Sequence, residues 1–132
     1  MKKIAILILL TFLFAQPEPD FFHVDVRTRV LDGNIVQIVV QVDNNSEYTI
    51  VSLEGFITVY GSELNIVEEK RINLVKEFET AMGPGQNESR SFNFEYNRNI
   101  SRKYTFHISK IKFKGDHRIY GYTPPAGLIR ID

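Results

Sequence analysis

The chain has 132 residues, 43% of them hydrophobic and 12% aromatic, with a formal net charge of +0 and no cysteine. Such a length and composition describe one folded domain with a real apolar core and exclude a disordered chain. The balanced charge excludes the electrostatic footprint of a nucleic-acid binder, and the missing cysteines exclude disulfides, thiol catalysis and thiolate metal sites.

The first residues have the pattern of an export signal. Lys2 and Lys3 precede an apolar run from Ile4 to Phe14 in which Thr11 is the one polar residue. A basic start followed by a short apolar stretch is a secretory signal peptide, and the run is shorter than the roughly 20 residues a relaxed membrane-spanning helix needs. We assign residues 1–15 to the signal, with a cut after Ala15, and residues 16–20 to a polar linker. Residues 21–132 form a single domain with a C-terminal tail over 119–132. Leu13 is bulky for the small-residue position before the cut, so an uncleaved anchor or a buried strand is the alternative. No cysteine follows the apolar run, which excludes an acyl anchor. Export without cysteines points to a bacterial envelope protein, in the periplasm or outside the cell, with no integral span once the signal is removed.

The remaining elements are read from their periodicity. Phe22, Val24, Val26, Thr28 and Val30 alternate with His23, Asp25, Arg27 and Arg29, as in a half-buried strand. Asp32-Gly33 is a hairpin turn, and Val36, Ile38, Val40 and Val42 form the inward face of the next strand. Asp43 to Ser46 is a loop whose side chains bond their own backbone. Tyr48 to Tyr60 alternates again, with Leu53, Gly55, Ile57 and Val59 on one face. Gly55 marks a bulge or a close approach of a neighbouring strand.

The stretch from Ile66 to Met82 supports two readings. Val67, Leu74, Val75, Phe78 and Met82 fit a helical stripe, with Asn65 and Glu68 as a capping box and Gly83-Pro84 as the stop. Arg71 to Leu74 alternates instead. The expectation is a strand from Ile66 to Leu74, then one short helix or an irregular turn near 76–82.

Pro84-Gly85 is a type II turn, and Phe92, Phe94 and Tyr96 face inward on the strand after it. Tyr104, Phe106 and Ile108 share one phase of the last long strand, while Ile111 and Phe113 occupy the other. A bulge near Ser109 reconciles the two. Gly115-Asp116 turns the chain into a strand over Ile119 to Tyr122, Pro124-Pro125 interrupts it, and Leu128, Ile129 and Ile131 return as a short edge strand. Short strands at this spacing predict an all-β chain, an immunoglobulin-like two-sheet β-sandwich.

The order of turns and strands resembles small bacterial immunoglobulin-like domains of the FxLYD kind. The stretches that carry the resemblance are Val40 to Ser46, Phe56 to Gly61, Pro84-Gly85-Gln86 leading to Ser91 to Phe94, and Tyr104 to Ile108. The chain carries Gly61-Ser62-Glu63-Leu64-Asn65 where that group has its Leu-Tyr-Asp. The resemblance implies an extracytoplasmic interaction or accessory domain with no catalytic residues.

Candidate sites are few. His23, His107 and His117 have no ligand spacing, no Ser sits in a nucleophile motif, and no glycine-rich phosphate loop occurs. Asp25 with Glu54 or Glu95 could form a carboxylate pair, but each falls in an outward phase, where carboxylates normally serve solubility. The reading is therefore a non-enzyme without metal or cofactor. Charge gives one asymmetry: Arg90, Arg98, Arg102, Lys103, Lys110, Lys112, Lys114 and Arg118 face only Glu95 and Asp116 in that stretch. Lys110, Lys112 and Lys114 alternate with Ile111 and Phe113 and so share a face. They form either a binding stripe for an anionic surface or an edge strand blunted by lysine. Tyr120 and Tyr122 offer an aromatic contact surface or simply cover the end of the sandwich. The expected function is a non-catalytic exported envelope domain that binds a protein or scaffolds an assembly, through Lys110, Lys112, Lys114, Arg118, Tyr120 and Tyr122. The alternative is a binder of an anionic ligand or cell-surface polymer.

Overall fold

In the computed structural model, which describes residues 20–97 and 99–132, period-two alternation becomes strand almost wherever it occurs. The expected signal over 1–15 and most of the linker lie outside the described residues. The strands are β1 (Phe22–Val30), β2 (Ile35–Asn44), β3 (Ile50–Tyr60), β4 (Ile66–Val75), β5 (Asn87–Glu95), β6 (Lys103–Phe113), β7 (Tyr120–Thr123) and β8 (Gly127–Arg130). They form two antiparallel sheets, one ordered β1-β2-β5 and the other β4-β3-β6-β7-β8. The chain is thus all-β, with two sheets packed over a shared core.

The core follows the inward phases. Val36, Ile38, Val40 and Val42 from β2 meet Leu53, Ile57 and Val59 from β3, and all seven are buried. Each such side chain contributes about 1.5–3 kcal/mol relative to leaving it exposed. One predicted inward face does not hold along its length. Phe22 is buried, but Thr28 and Val30 are exposed and line an open depression with Val36, Tyr96 and Tyr104. On the other side, Lys70 of β4 closes the gap between sheets by placing its ammonium 5.3 Å from the Phe92 ring and 5.7 Å from that of Phe94. An inward-pointing charge there also blocks growth of the sheet from its β4 edge.

Bulges set the faces. In the β3–β6 ladder Glu54 pairs with Lys110 and Gly55 with Ile108, which leaves Ser109 unpaired. The bulge lets Phe106, Ile108, Ile111 and Phe113 all reach the core, and the Ser109 hydroxyl donates to the Glu54 carbonyl at 3.3 Å. A second bulge at Leu74 in the β3–β4 ladder buries both Leu74 and Val75.

Two expectations are corrected. The strand expected over Ile66 to Leu74 is β4, and of the two alternatives near 76–82 the irregular turn forms and the short helix does not; among the described residues the one helical piece is a 3-10 turn at Ser62–Leu64. The stripe that favoured a helix has no common face: Leu74, Val75 and Met82 are buried through strand contacts, whereas Val67 and Phe78 point to solvent. Residues 76–80 form a turn closed by the Glu79 amide on the Lys76 carbonyl at 3.0 Å, and Met82 then pairs with Ile50. The second correction concerns the lysines. β6 lies between β3 and β7, so Lys110 and Lys112 are on an interior strand and cannot be edge-blunting residues. No helix among the described residues is long and apolar enough to cross a membrane.

Candidate binding groove

The end of the sandwich where β6 stops is built by three loops. Gly115, at φ 80, turns the chain after Phe113, and the Asp116 amide bonds back to the Phe113 carbonyl at 3.2 Å. The Lys114 amide donates to the Thr49 carbonyl at 2.9 Å, which ties this turn to the loop before β3. That loop presents Tyr48, which is 56% exposed. Tyr48, Phe113 and Tyr120 then form an aromatic row, with ring centroids 5.5 Å and 5.6 Å apart. With Leu128 as a further apolar wall and Lys114, Asp116 and Arg118 at the rim, they enclose a groove of about 430 Å³.

Asp116 organises the rim. Its carboxylate accepts the Arg118 amide at 2.9 Å and Arg118 Nε at 3.1 Å on one oxygen, and the Tyr120 hydroxyl at 2.8 Å on the other. The Arg118 amide first, then the Tyr120 hydroxyl, hold its pKa down at about 2. The same contacts push the Tyr120 hydroxyl and the Arg118 guanidinium up. Because the folded-state value lies below the ordinary carboxylate value of about 3.9, this contribution is present above about pH 4 and is lost as pH falls through 2. An NMR titration of the Asp116 carboxyl carbon should therefore show a midpoint near 2. A midpoint at the ordinary value would mean that the rim is open in solution.

Three of the six sequence-predicted residues, Lys114, Arg118 and Tyr120, line this groove. The others lie elsewhere. Lys110 and Lys112 project from the outer face of the five-stranded sheet, opposite Glu54 and Ser52 of β3. Lys112 is 2.8 Å from a Glu77 oxygen, and that hydrogen bond raises its pKa. Tyr122 is 6% exposed and stacks edge-on against Phe22, with centroids 4.9 Å apart. Burial raises its hydroxyl pKa, with the Phe22 and Phe21 amides pulling the other way. Of the two readings of the tyrosines, Tyr122 fits the second, turned inward to cover the end of the sandwich, whereas Tyr120 lines the groove with Tyr48 and Phe113.

A broader depression of about 970 Å³ lies at the opposite end, among Asn34, Ile35, Glu95, Tyr96, Asn97, Ile100 and Arg102. Tyr96 is its one aromatic wall among the described residues. The three carboxylates weighed from the sequence do not meet. Asp25 pairs with Arg27 at 3.3 Å on one sheet and Glu54 with Arg71 at 3.6 Å on the other. Glu95 lies opposite Ile35 and Asp25 opposite Gln41, about 20 Å apart along the strand direction. His23, His107 and His117 are all exposed. Among the described residues no group of three or more His, Asp or Glu side chains could hold a metal ion. No family model matches the chain, and no curated protein or solved structure matches it.

The groove can stack an apolar or aromatic group on its floor while Lys114 and Arg118 meet an anionic one at the rim. Its carboxylate is a weak base committed to three donors, so proton abstraction is poorly served there.

Proposed function

We propose that this chain is a non-catalytic binding domain of the bacterial envelope, exported by residues 1–15, that holds a protein partner in the groove between Tyr48 and Tyr120. The observation that carries the reading is the composition of the groove: three aromatic side chains in a row, with Arg118 and Lys114 beside them. Tyrosine and arginine around a desolvated pocket are the residues that dominate protein–protein binding energy. The partner segment is a large apolar side chain next to a carboxylate. The immunoglobulin-like assignment, and with it the kinship to FxLYD-type domains, belongs to this proposal. It is supported by the three-stranded β1-β2-β5 sheet packed on the five-stranded β4-β3-β6-β7-β8 sheet. Tyr48→Ala combined with Arg118→Ala should weaken the complex formed in the native envelope by about 30-fold or more, with an unchanged melting temperature. A complex of undiminished yield would reject the groove.

The second reading, an anionic polymer on the lysine face, is favoured by Lys110 and Lys114, which are exposed and make no ion pair among the described residues.

A further inference from the structure

Among the described residues, β1 is the long sheet edge that the fold leaves unguarded. The β4 edge carries bulges and places Lys70 between the sheets. The β5 edge carries Arg90, whose Nε donates across to the Leu74 carbonyl at 3.0 Å, and β8 has only 4 residues. Inward charges, bulges and short strands keep an edge from pairing with another chain. β1 has none of them. It runs 9 residues without a bulge, and its inward phase, from Phe22 through Val24, Val26 and Thr28 to Val30, holds no charge.

The hydrogen bonds at its two ends fix which backbone groups face outward. The Phe21 carbonyl accepts from the Asn45 amide at 2.8 Å, and the Leu31 amide donates to the Ile35 carbonyl at 2.9 Å. The register between them is unbroken, so the odd-numbered residues of β1 bond to β2. The amides and carbonyls of Val24, Val26, Thr28 and Val30 therefore point to the free edge. At Phe22 that edge is closed by Tyr122, which packs against its ring.

Beside the far end of the edge lies the open depression of about 500 Å³ that Thr28 and Val30 line with Tyr96, Arg102 and Tyr104. No carboxylate lines it among the described residues. On the outer face Arg29 lies opposite Gln37 and makes no ion pair among the described residues, while Asp25 is engaged by Arg27 at 3.3 Å. A chain that answers all these groups is extended: its backbone meets the free amides and carbonyls, one side-chain phase enters the depression, and the other meets Arg29. We propose that β1 takes up an extended segment of a partner protein as an added strand, with apolar side chains on the inward phase and a carboxylate opposite Arg29. A second copy of this chain is the poorer occupant. β1 lies over β6, and the five-stranded sheet continues beyond it as β7 and β8, in the way of another copy's two sheets but not of one strand. The depression stands at the end of the sandwich away from the groove, so the two surfaces are separate.

Every buried apolar residue among those described lies between Phe22 and Tyr122, so a chain beginning at Gln16 carries that core and avoids the apolar N-terminal run. The probe is the capped peptide Thr-Val-Glu-Phe-Glu-Val-Thr. In the free chain, hydrogen exchange should be fast at the amides of Val24, Val26, Thr28 and Val30 and slow at those of Asp25, Arg27 and Arg29 between them. Saturating probe should slow the four fast amides by about tenfold or more. Thr28→Pro removes an edge amide that the β1–β2 ladder does not use, and should weaken binding at least about tenfold. Arg29→Glu should weaken it about tenfold, with recovery when lysine replaces glutamate in the probe. Both variants should melt with the parent, and Tyr48→Ala should bind the probe as the parent does. Unchanged exchange at the four amides, equal binding by the Thr28→Pro and parent chains, or a loss of binding in Tyr48→Ala would each overturn the proposal. So would protection of the four amides that appears without probe as the chain is concentrated, which would put a second copy on the edge.

Discussion

Replacing Asn44 by Ala is expected to destabilise the fold by about 3–4 kcal/mol, a fall of roughly 15 °C in melting temperature. Asn44 ends β2 with no exposed surface. Its Nδ2 donates to the carbonyls of Tyr48 at 2.8 Å, Met82 at 3.2 Å and Gly83 at 3.2 Å. Its Oδ1 accepts the Ser46 amide at 3.0 Å and the Ser46 hydroxyl at 2.6 Å. One side chain therefore joins the loop before β3 to the loop before β5, and its own backbone is bonded to Gly85 and Gln86. Truncation removes all five of these bonds, at about 0.5–1.5 kcal/mol each; the Ser46 amide loses its acceptor, while the carbonyls of Tyr48, Met82 and Gly83 keep the Ser46 hydroxyl, the Ile50 amide and the Gln86 amide as donors. Asn44→Asp keeps the shape but turns an acceptor toward those carbonyls. Burial raises the folded-state pKa of such a carboxyl above the unfolded value of about 3.9. The variant's deficit is then smallest below about pH 4 and grows as pH rises through the folded-state value. Urea unfolding at two pH values measures both effects, and a loss below 1 kcal/mol for Asn44→Ala would contradict the network.

Gly55→Ala is expected to cost about 3 kcal/mol, an unusually large effect for one added methyl group. The position needs no special backbone angle; the constraint is space. A Cβ there would lie 2.3 Å from Phe106 Cζ and 2.5 Å from the His107 carbonyl oxygen. The Phe106 ring folds across β3 and covers the glycine, which is why an aromatic residue sits beside it at the bulge. Phe106→Leu in the Gly55→Ala background removes the ring clash but leaves the carbonyl clash. The double variant should therefore be less destabilised than the sum of the single variants and still less stable than the parent. Additive losses in equilibrium unfolding would mean that the two strands are farther apart than described.

The sequence read well wherever a local period decides the outcome. The switch of phase between Ile108 and Ile111 located the Ser109 bulge, because a strand's side chains change face only if a residue is inserted. The inward faces of β2 and β3 followed for the same reason. Strand order is long-range, so Lys110 to Lys114 looked like an edge while β6 lies inside its sheet. At 76–82 the helical and turn patterns are equally compatible with the spacing. What decides between them is pairing far along the chain, Val75 with Leu53 and Met82 with Ile50, which leaves only a turn's length between. The groove was half legible. Lys114, Arg118 and Tyr120 are close in sequence and stood out by composition, whereas Tyr48 reaches Phe113 only through tertiary packing. The available signal was a tyrosine directly after the Asn-rich loop, which the alternation assigns to the start of the next strand, whereas β3 begins at Ile50 and leaves Tyr48 in the loop.

The groove itself is tested most directly by a photo-crosslinking residue placed at position 48 of the full chain in its native host, with position 69, exposed on β4, as the control. A single discrete adduct from position 48 and none from position 69 is the predicted result. No adduct from position 48, or the same adduct from both positions, would contradict a partner held between Tyr48 and Tyr120.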